Sequence, residues 1–308
     1  SAFLAQNVLF LAVAFVTLWG TIFPVFSNAA VGEVITVGEP FFNRVNGPIL
    51  LGIVFLMGVG PSLPWRRASR ANLTHMLRYP VIMALTGGVV LFVAGIRYPA
   101  ALLGLMLCVF VTTGVLREWF RGTRVRHRRG EPYPIAFMRL LASNRPRYGG
   151  YIVHLAIIML AVGAIGSSFY SIQRDFAVSP GEMIDFDSYS LKYIGVEQTL
   201  FVDRQESKAQ MELYYDGSYL GIMEPGHSFY PSFDIGATRA AIRSTLVEDF
   251  YVVPSEFGDD GEAVFRVRVN PLVWWMWASG PILVLGTVLS LWPQRNPEPA
   301  KLRVTAGA

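Results

Sequence analysis

The residue with the clearest capacity for chemistry is His154, which lies in an uncharged run from Tyr148 to Ser168. At about 1.5 Å per residue, this run is long enough as a helix to cross a hydrocarbon core of roughly 30 Å. An ionisable side chain at membrane depth costs about a few kcal/mol unless a partner satisfies it, so we predict that His154 is functional. Gly150 lies one turn before it and Ala161 two turns after it. These small residues leave room on that face for a bulky, flat group.

Three roles for His154 are compatible with this pattern. The imidazole can be neutral and hydrogen-bonded to a neighbouring helix, it can serve a proton path in a transporter, or it can be an axial ligand of a heme. In the third case, Arg145 or Arg147 at the membrane edge would hold the heme propionates by charge-assisted hydrogen bonds. A bis-histidine heme needs two ligands. The second would come from another polypeptide or from a second copy of His154, unless the iron is five-coordinate.

No catalytic residue is identifiable elsewhere, because phosphate-binding loops, nucleophile elbows and paired metal-binding motifs are absent from the sequence. We predict that His75, His127 and His227 are solvated surface histidines and that the single cysteine, Cys108, is a small buried apolar residue. The tryptophans at the start of the last apolar run are predicted to form an interfacial belt. They are Trp274, Trp275 and Trp277.

The composition, with 53% hydrophobic and 16% charged residues, predicts a polytopic α-helical membrane protein. We expect a membrane region over residues 1–168 and a sixth span with its tail over 271–308. The loops at 64–79 and 117–147 are basic and therefore predicted to be cytoplasmic, as are both ends of the chain. The second loop carries nine arginines and a short predicted interfacial helix at 135–142; we interpret it as a contact for anionic lipid and not as a nucleic-acid arm. The first five spans are predicted at about 4–26, 45–63, 80–96, 99–116 and 148–168.

Residues 169–270 differ from the rest of the chain. They contain 17 acidic and 8 basic residues, with short alternating runs such as SLKYIGVEQTLFV separated by turn residues. Alternation with a period of two indicates antiparallel strands. An acidic segment is also tolerated on the extracytoplasmic side. The fold class is therefore a six-span α-helical membrane protein with an inserted extracytoplasmic β-rich domain.

Four blocks of sequence resemble the carboxy-terminal half of the CcmF-type cytochrome c heme lyases of the system I maturation pathway. They occur in the family's order and are GEPFFNRV (38–45), MGVGPSLPWRR (57–67), NRPRYGGYIVHLA (144–156) and NPLVWWMW (270–277). The resemblance implies a protein of the bacterial inner membrane that takes heme from a heme chaperone and helps attach it to the CxxCH motif of apocytochrome c. Subunits that present the apocytochrome would be further partners, together with membrane lipid.

The resemblance also implies a structural b-type heme held by two transmembrane histidines, with electrons supplied by quinol. His154 matches the second ligand of that heme, which places Arg145, Arg147, Gly150 and Tyr151 in its vicinity. The family's first ligand and its tryptophan-rich segment with two flanking histidines are not in this sequence. We therefore expect the amino-terminal half of the heme lyase as a partner. The start at Ser1 inside an apolar segment likewise suggests a fragment or a processed product.

Two other functions remain open at this point. One is a secondary transporter with His154 in a proton relay, for which Gly87 and Gly88 in the third span are the only hint of a broken helix. The other is a membrane scaffold whose outer domain docks partner proteins. The scaffold would carry no chromophore and would tolerate replacement of the histidine by a neutral polar residue.

Overall fold

The structure is a computed structural model that describes residues 2–60, 70–258 and 260–293. Within these residues, six helices are long and apolar enough to cross a membrane, and a seventh, α5, is short. This confirms the six predicted spans and the helical membrane class. The helices are α1 (Ala2–Val31), α2 (Glu39–Val59), α3 (Arg70–Val93), α4 (Pro99–His127), α5 (Tyr133–Ser143), α6 (Arg145–Tyr170) and α7 (Val273–Leu291).

Several helices extend beyond the predicted spans. Helix α3 includes residues 70–79 of the predicted loop 64–79, and α4 continues to His127 through the arginine-rich segment. Arginine and glutamate are good helix formers, and no proline interrupts the chain between Pro99 and Pro132, so this polar end stays helical. The predicted loop 117–147 is consequently almost entirely helical, and α5 covers the short helix predicted there. The basic residues predicted to set the topology at 66, 67, 295, 301 and 303 lie outside the described residues, as does Trp65.

The chain divides into two compact units. The first contains residues 1–84, 109–158 and 280–308, and the second contains residues 85–108 and 159–279. In the first unit, α2 and α4 meet where the rings of Phe55 and Phe110 stack at 6.2 Å. A Cβ at Gly58 would lie only 2.5 Å from the Phe110 ring, so the absence of a side chain at Gly58 allows this contact. The contact holds α4 beside α2. It lies at the part of α4 that contains the buried residues Phe110 and Val111.

The second unit contains a β-sandwich, which confirms the predicted β-rich domain. One antiparallel sheet has the order β1-β10-β9-β8, and the other has the order β2-β3-β4-β6-β7, with β5 also paired to β4. The strands are β1 (Ile172–Val178), β2 (Met183–Phe186), β3 (Tyr189–Leu200), β4 (Gln205–Tyr215), β5 (Ser218–Met223), β6 (Gly226–Tyr230), β7 (Ile235–Arg239), β8 (Ala241–Ser244), β9 (Glu248–Phe257) and β10 (Ala263–Pro271).

The core of the sandwich lies between the two sheets and is built from alternate residues of the long strands. On β3 the buried residues are Tyr189, Leu191 and Tyr193, two positions apart, as expected where one face of a strand packs inward. The rings of Tyr193 and Phe265 meet edge to face at 5.2 Å across the core. The Tyr189 hydroxyl donates a hydrogen bond to Glu248 at 2.9 Å, and burial together with that carboxylate raises the pKa of Tyr189.

The β3–β4 hairpin extends beyond the end of the other sheet, which contains β1, β10, β9 and β8. The Tyr193 hydroxyl donates to the carbonyl of Gly261 at 3.0 Å, in the turn where β9 passes into β10. Beyond Tyr193, the hairpin runs for another seven residues, roughly 20 Å of extended chain, before it turns at Leu200. At its tip, Leu200 is 77% exposed and Val202 is fully exposed. The tip is therefore an exposed apolar feature of the sandwich.

Candidate functional site

The candidate site lies on α6, in the part of the helix that belongs to the first unit. Arg145 to Tyr170 form one uninterrupted helix of 26 residues, about 39 Å long, with His154 in its third turn. No proline interrupts the helix after Pro146. The unit positions His154 by packing α6 against α7 on one side and against α4 on another, as the contacts below show.

Helix α7 approaches α6 at backbone contact distance. A Cβ at Gly149 would lie 2.6 Å from the amide nitrogen of Ser290, and one at Gly286 would lie 2.9 Å from the amide nitrogen of Val153. Only glycine permits this approach, which is the usual way for helices to pack where lipid offers no hydrophobic driving force. The Ser290 hydroxyl also donates to the Pro146 carbonyl at 3.2 Å. The rotation of α6 about its axis is thus fixed just before His154.

His154 is half-buried and lacks a hydrogen-bond partner. Its Nδ1 is enclosed by protein and has no partner among the described residues. Its Nε2 has no hydrogen-bond partner among the described residues, and it is called open in this sense. The nearest ring is that of Tyr151, one turn earlier, with its centroid at 6.3 Å and its plane tilted by 62°. The described residues therefore do not provide the hydrogen bond expected of a purely structural histidine, and Nε2 is the nitrogen left open to a ligand.

Gly150 lies one turn before His154 and borders open space. A Cβ built at Gly150 would meet no atom within 4 Å, in contrast to the crowded positions at Gly149 and Gly286. The face of α6 that carries His154 and Gly150 is therefore not the face that packs on α7. At Gly150 there is therefore space for at least a methyl group beside the histidine; room for a bulky, flat group stays a prediction.

The two arginines predicted near the site have different environments. Arg147 donates from Nη2 to Glu118 at 2.7 Å and from Nε to the hydroxyl of Tyr151 at 3.2 Å. Arg145 donates to the carbonyl of Pro293 at 3.2 Å. Arg147 is thus neutralised by a carboxylate, whereas Arg145 contacts only a neutral carbonyl among the described residues.

Sequence reasoning missed Glu118. It belongs to α4, its side chain is mostly buried, and it lies with Tyr151 in a narrow pocket between α2, α4 and α6. The sequence did contain a signal for Glu118, because acidic residues are rare in that part of the chain: only five of the 22 lie outside 175–262. An acidic residue among nine arginines is an ion-pair candidate. The pocket is otherwise apolar and is lined by Met57, Gly58, Val111, Gly114 and Val115.

The remaining histidines and the tryptophans have structural surroundings. Nδ1 of His127 lies 2.8 Å from the Glu131 carbonyl, and its ring stacks on Tyr133 at 3.8 Å. Nδ1 of His227 lies 3.2 Å from the hydroxyl of Thr238 on the neighbouring strand. His75 is exposed, and Trp274 and Trp275 pack edge to face at the start of α7. Nδ1 of His127 and of His227 thus has a polar neighbour and His75 is exposed, whereas Nδ1 of His154 is buried without a partner among the described residues.

The residues present fit one half of a heme site. They offer an imidazole with an open nitrogen, open space beside a glycine one turn away, and a cation, Arg145, at the end of the same helix. Within the described residues, no group of three or more histidine, cysteine, aspartate or glutamate side chains could hold a metal ion. A porphyrin iron needs only one such axial ligand from this chain, provided that another chain donates the second.

Comparisons with known proteins agree with the motifs. Residues 169–271 match the family model described as CcmF C-terminal beta-sandwich. The cytochrome c-type biogenesis protein CcmF of Pseudomonas aeruginosa is 29% identical over 304 residues, which are 98% of this chain and 45% of that protein. The CcmF protein of Escherichia coli K12 is 26% identical over 299 residues, 96% of this chain and 44% of its own length.

The fold agrees as well. A solved structure of the cytochrome c heme lyase CcmF superposes with a TM-score of 0.73 at 25% sequence identity, covering 95% of this chain and 45% of that one. The chain spans a little under half the length of the relatives it matches. Across nearly its full length, it is thus similar in sequence and in fold to part of CcmF, the family that its four motifs resemble.

Proposed function

We propose that this chain is the carboxy-terminal portion of a cytochrome c heme lyase and that His154 provides one axial ligand of a b-type heme in the membrane. The observation that carries the proposal is the state of the imidazole: Nδ1 is enclosed without a hydrogen-bond partner among the described residues, and Nε2 is open. Such a side chain is costly at membrane depth unless something else satisfies it. Ligation of iron through Nε2 would do so.

When bound, the heme would supply electron transfer from quinol to the heme being attached to the CxxCH motif of apocytochrome c. This chain's own residues would bind and orient that group. Gly149 and Gly286 fix the rotation of α6, which aims His154 away from α7. The ring of Tyr151 packs against the imidazole and, through its hydroxyl, against Arg147. Arg145, which no carboxylate neutralises among the described residues, would bind the propionates.

The proposal includes a partner that donates the second ligand. The chain covers about 45% of its relatives' length. Among the histidines of the candidate spans, His75 and His127 lie at the ends of α3 and α4, whereas His154 lies well inside α6. We infer that the amino-terminal part of the heme lyase supplies the other imidazole. The chain produced alone would then hold no low-spin heme, and production with that part would restore it. A low-spin heme in the chain alone would contradict this arrangement.

The sandwich is proposed to lie on the extracytoplasmic side of the bacterial inner membrane and to face the heme chaperone and the subunits that present apocytochrome c. Its excess of acidic residues and the exposed apolar tip at Leu200 and Val202 support an outer domain that binds proteins. Photo-crosslinking from position 202 in intact membranes tests whether the tip binds these partners. Labelling of none of these partners, while a probe in α6 crosslinks normally, would rule out docking at the tip.

The direct test of ligation is the variant His154→Ala, compared with His227→Ala as a matched control. His227 lies in the sandwich and already has Thr238 as a neighbour, so its loss should leave the heme in place. We expect His154→Ala to remove the low-spin b-type absorbance of the purified complex while membrane insertion and yield stay unchanged. An unaltered spectrum in His154→Ala would show that this residue is not a ligand.

A further inference from the structure

The turn between β8 and β9 lies next to the point where the sandwich joins helix α7. The amide of Leu272 donates to the carbonyl of Val247 at 2.7 Å, and the indole nitrogen of Trp275 donates to the carbonyl of Leu246 at 3.0 Å. Helix α7 begins at Val273 and is one of the helices long and apolar enough to cross a membrane. The turn therefore lies at the depth of the first turn of a membrane span.

The side chains of this turn are unusual for a turn in water. Leu246 is 59% exposed and Val247 is 65% exposed, side by side. The segment from Ser244 to Val247 carries no charge and no glycine, proline, asparagine or aspartate; Ser244 and Thr245 are its only residues of a type common in turns. Two adjacent exposed aliphatic side chains indicate a surface that is covered by something apolar.

The polar groups of the turn are largely satisfied from within. The amide of Thr245 donates to the Glu248 carbonyl at 2.9 Å, and the hydroxyl of Thr245 donates to the same carbonyl at 2.8 Å. That hydroxyl also accepts from the amides of Val247 and Glu248 at 3.3 and 3.0 Å. The carbonyls of Leu246 and Val247 accept the two bonds from the start of α7. Internal satisfaction of this kind is what a segment needs where lipid replaces water.

The junction with α7 holds the turn in place. Leu272 has a φ of 62°, in the left-handed region that a leucine avoids unless its surroundings hold it there. Its amide bond to Val247 and the close approach of Leu272 to Gly166 on α6, where an added Cβ would lie 3.0 Å from the leucine side chain, are two such contacts. The turn is thus tied to the ends of both helices that carry the sandwich.

Aromatic side chains mark the same end of the helices in this unit. Trp274 packs on Trp275 at 6.1 Å, and Tyr98, just before α4, packs on Phe169 and Tyr170 at the end of α6, at 5.8 and 5.4 Å. Tryptophan and tyrosine are enriched at the level of the lipid headgroups. The exposed Leu246 and Val247 adjoin one of these aromatic clusters through the bond to Trp275.

From these contacts, we propose that the β8–β9 turn is a lipid-binding element that inserts Leu246 and Val247 into the boundary between the headgroups and acyl chains of the bilayer. The occupant is lipid and not a partner protein, because the turn continues an aromatic belt at the end of a span and has no charge to specify a protein. The turn gives the sandwich a second attachment to the membrane besides its two helical connections. This inference does not depend on heme binding.

Spin labelling tests the proposal in the full chain, reconstituted in nanodiscs of phosphatidylethanolamine and phosphatidylglycerol. The single native cysteine is removed with Cys108→Ala, and the label is attached in Leu246→Cys, in Val247→Cys and, as a control in water, in Val202→Cys at the exposed hairpin tip. Collision rates with oxygen, which partitions into lipid, and with a water-soluble nickel chelate are measured at each position.

We expect the ratio of oxygen to nickel accessibility to be several-fold higher at positions 246 and 247 than at 202. Equal ratios at all three positions would place the turn in water and overturn the proposal. Low accessibility to both reagents at 246 and 247 would show a protein cover and would overturn it too. A second variant, Trp275→Phe, keeps an aromatic ring but removes the donor to Leu246. It is expected to lower the ratio at 246 towards the control value.

Discussion

The heme ligation proposed for this chain depends on His154, a histidine that is only half-buried. His154 has an aromatic neighbour and an enclosed Nδ1, and the glycine one turn earlier borders open space. Gly149, the residue just before that glycine, faces the backbone of α7 at a distance that excludes any side chain. The adjacent glycines on α6 thus have different roles: Gly149 allows the close packing of α7, and Gly150 leaves space beside the histidine.

A larger residue at Gly150 should displace the heme and leave the chain folded. Gly150→Leu is expected to weaken heme binding by about 5-fold to 100-fold, the equivalent of roughly 1–3 kcal/mol of overpacking, with no loss of folded stability. Heme per chain, measured by pyridine hemochrome, reports the change. Gly47→Leu is the matched control because Gly47 on α2 also borders open space. Equal heme content in the two variants would argue that the heme does not pack against Gly150.

At the residue scale, the sequence singles out His154 but not Glu118. His154 is visible from hydropathy alone because it lies inside an uncharged run, from Tyr148 to Ser168. Glu118 was hidden because the arginine-rich segment looked like a loop, whereas it continues α4 and brings the carboxylate within 2.7 Å of Arg147. That ion pair joins residues 29 positions apart, which sequence spacing on a single helix does not reveal.

At the scale of elements, the contact between α6 and α7 positions the histidine. Gly149→Ala would place a methyl group 2.6 Å from the backbone nitrogen of Ser290 and 2.8 Å from the carbonyl oxygen of Gly286, and backbone atoms cannot move aside as a flexible side chain can. We expect a loss of about 1–3 kcal/mol in the free energy of unfolding, measured by denaturation in mixed micelles.

The control for this variant is Gly280→Ala in α7, where an added Cβ would meet no atom within 4 Å. That substitution should be neutral or should stabilise the helix by up to about 1 kcal/mol, because alanine is the better helix former. A Gly149→Ala protein as stable as Gly280→Ala would mean that α6 and α7 do not approach as closely as the structure shows.

The elements themselves were largely predictable, and their pairing was not. Apolar runs predicted the six spans, and the alternation of apolar and polar residues predicted strands in residues 169–270, because both signals are local. The helix ends were placed wrongly at α3 and α4, since helices continue beyond the apolar core where arginine and glutamate can reach the interface. The division of ten strands into two sheets depends on contacts such as Tyr189 with Glu248, 59 residues apart, which no local pattern encodes.

At the scale of the whole molecule, the chain matches less than half the length of its relatives. Its six apolar helices provide one histidine, and its sandwich provides an acidic surface and a turn suited to lipid. A complete heme site and the attachment surface would then require residues from another part of the protein. The proposed activity would therefore belong to an assembled heme lyase, to which this chain would contribute a ligand and a β-sandwich domain.

The central claim, that His154 binds iron, is tested most directly by changing the ligand and not merely removing it. In the complex with the amino-terminal part, His154→Met should keep a heme whose reduction potential is clearly more positive than that of the unaltered protein, because a thioether ligand in place of imidazole raises the potential. A redox titration of the purified complex measures this shift. A potential and a low-spin spectrum identical to those of the unaltered protein would contradict ligation by His154.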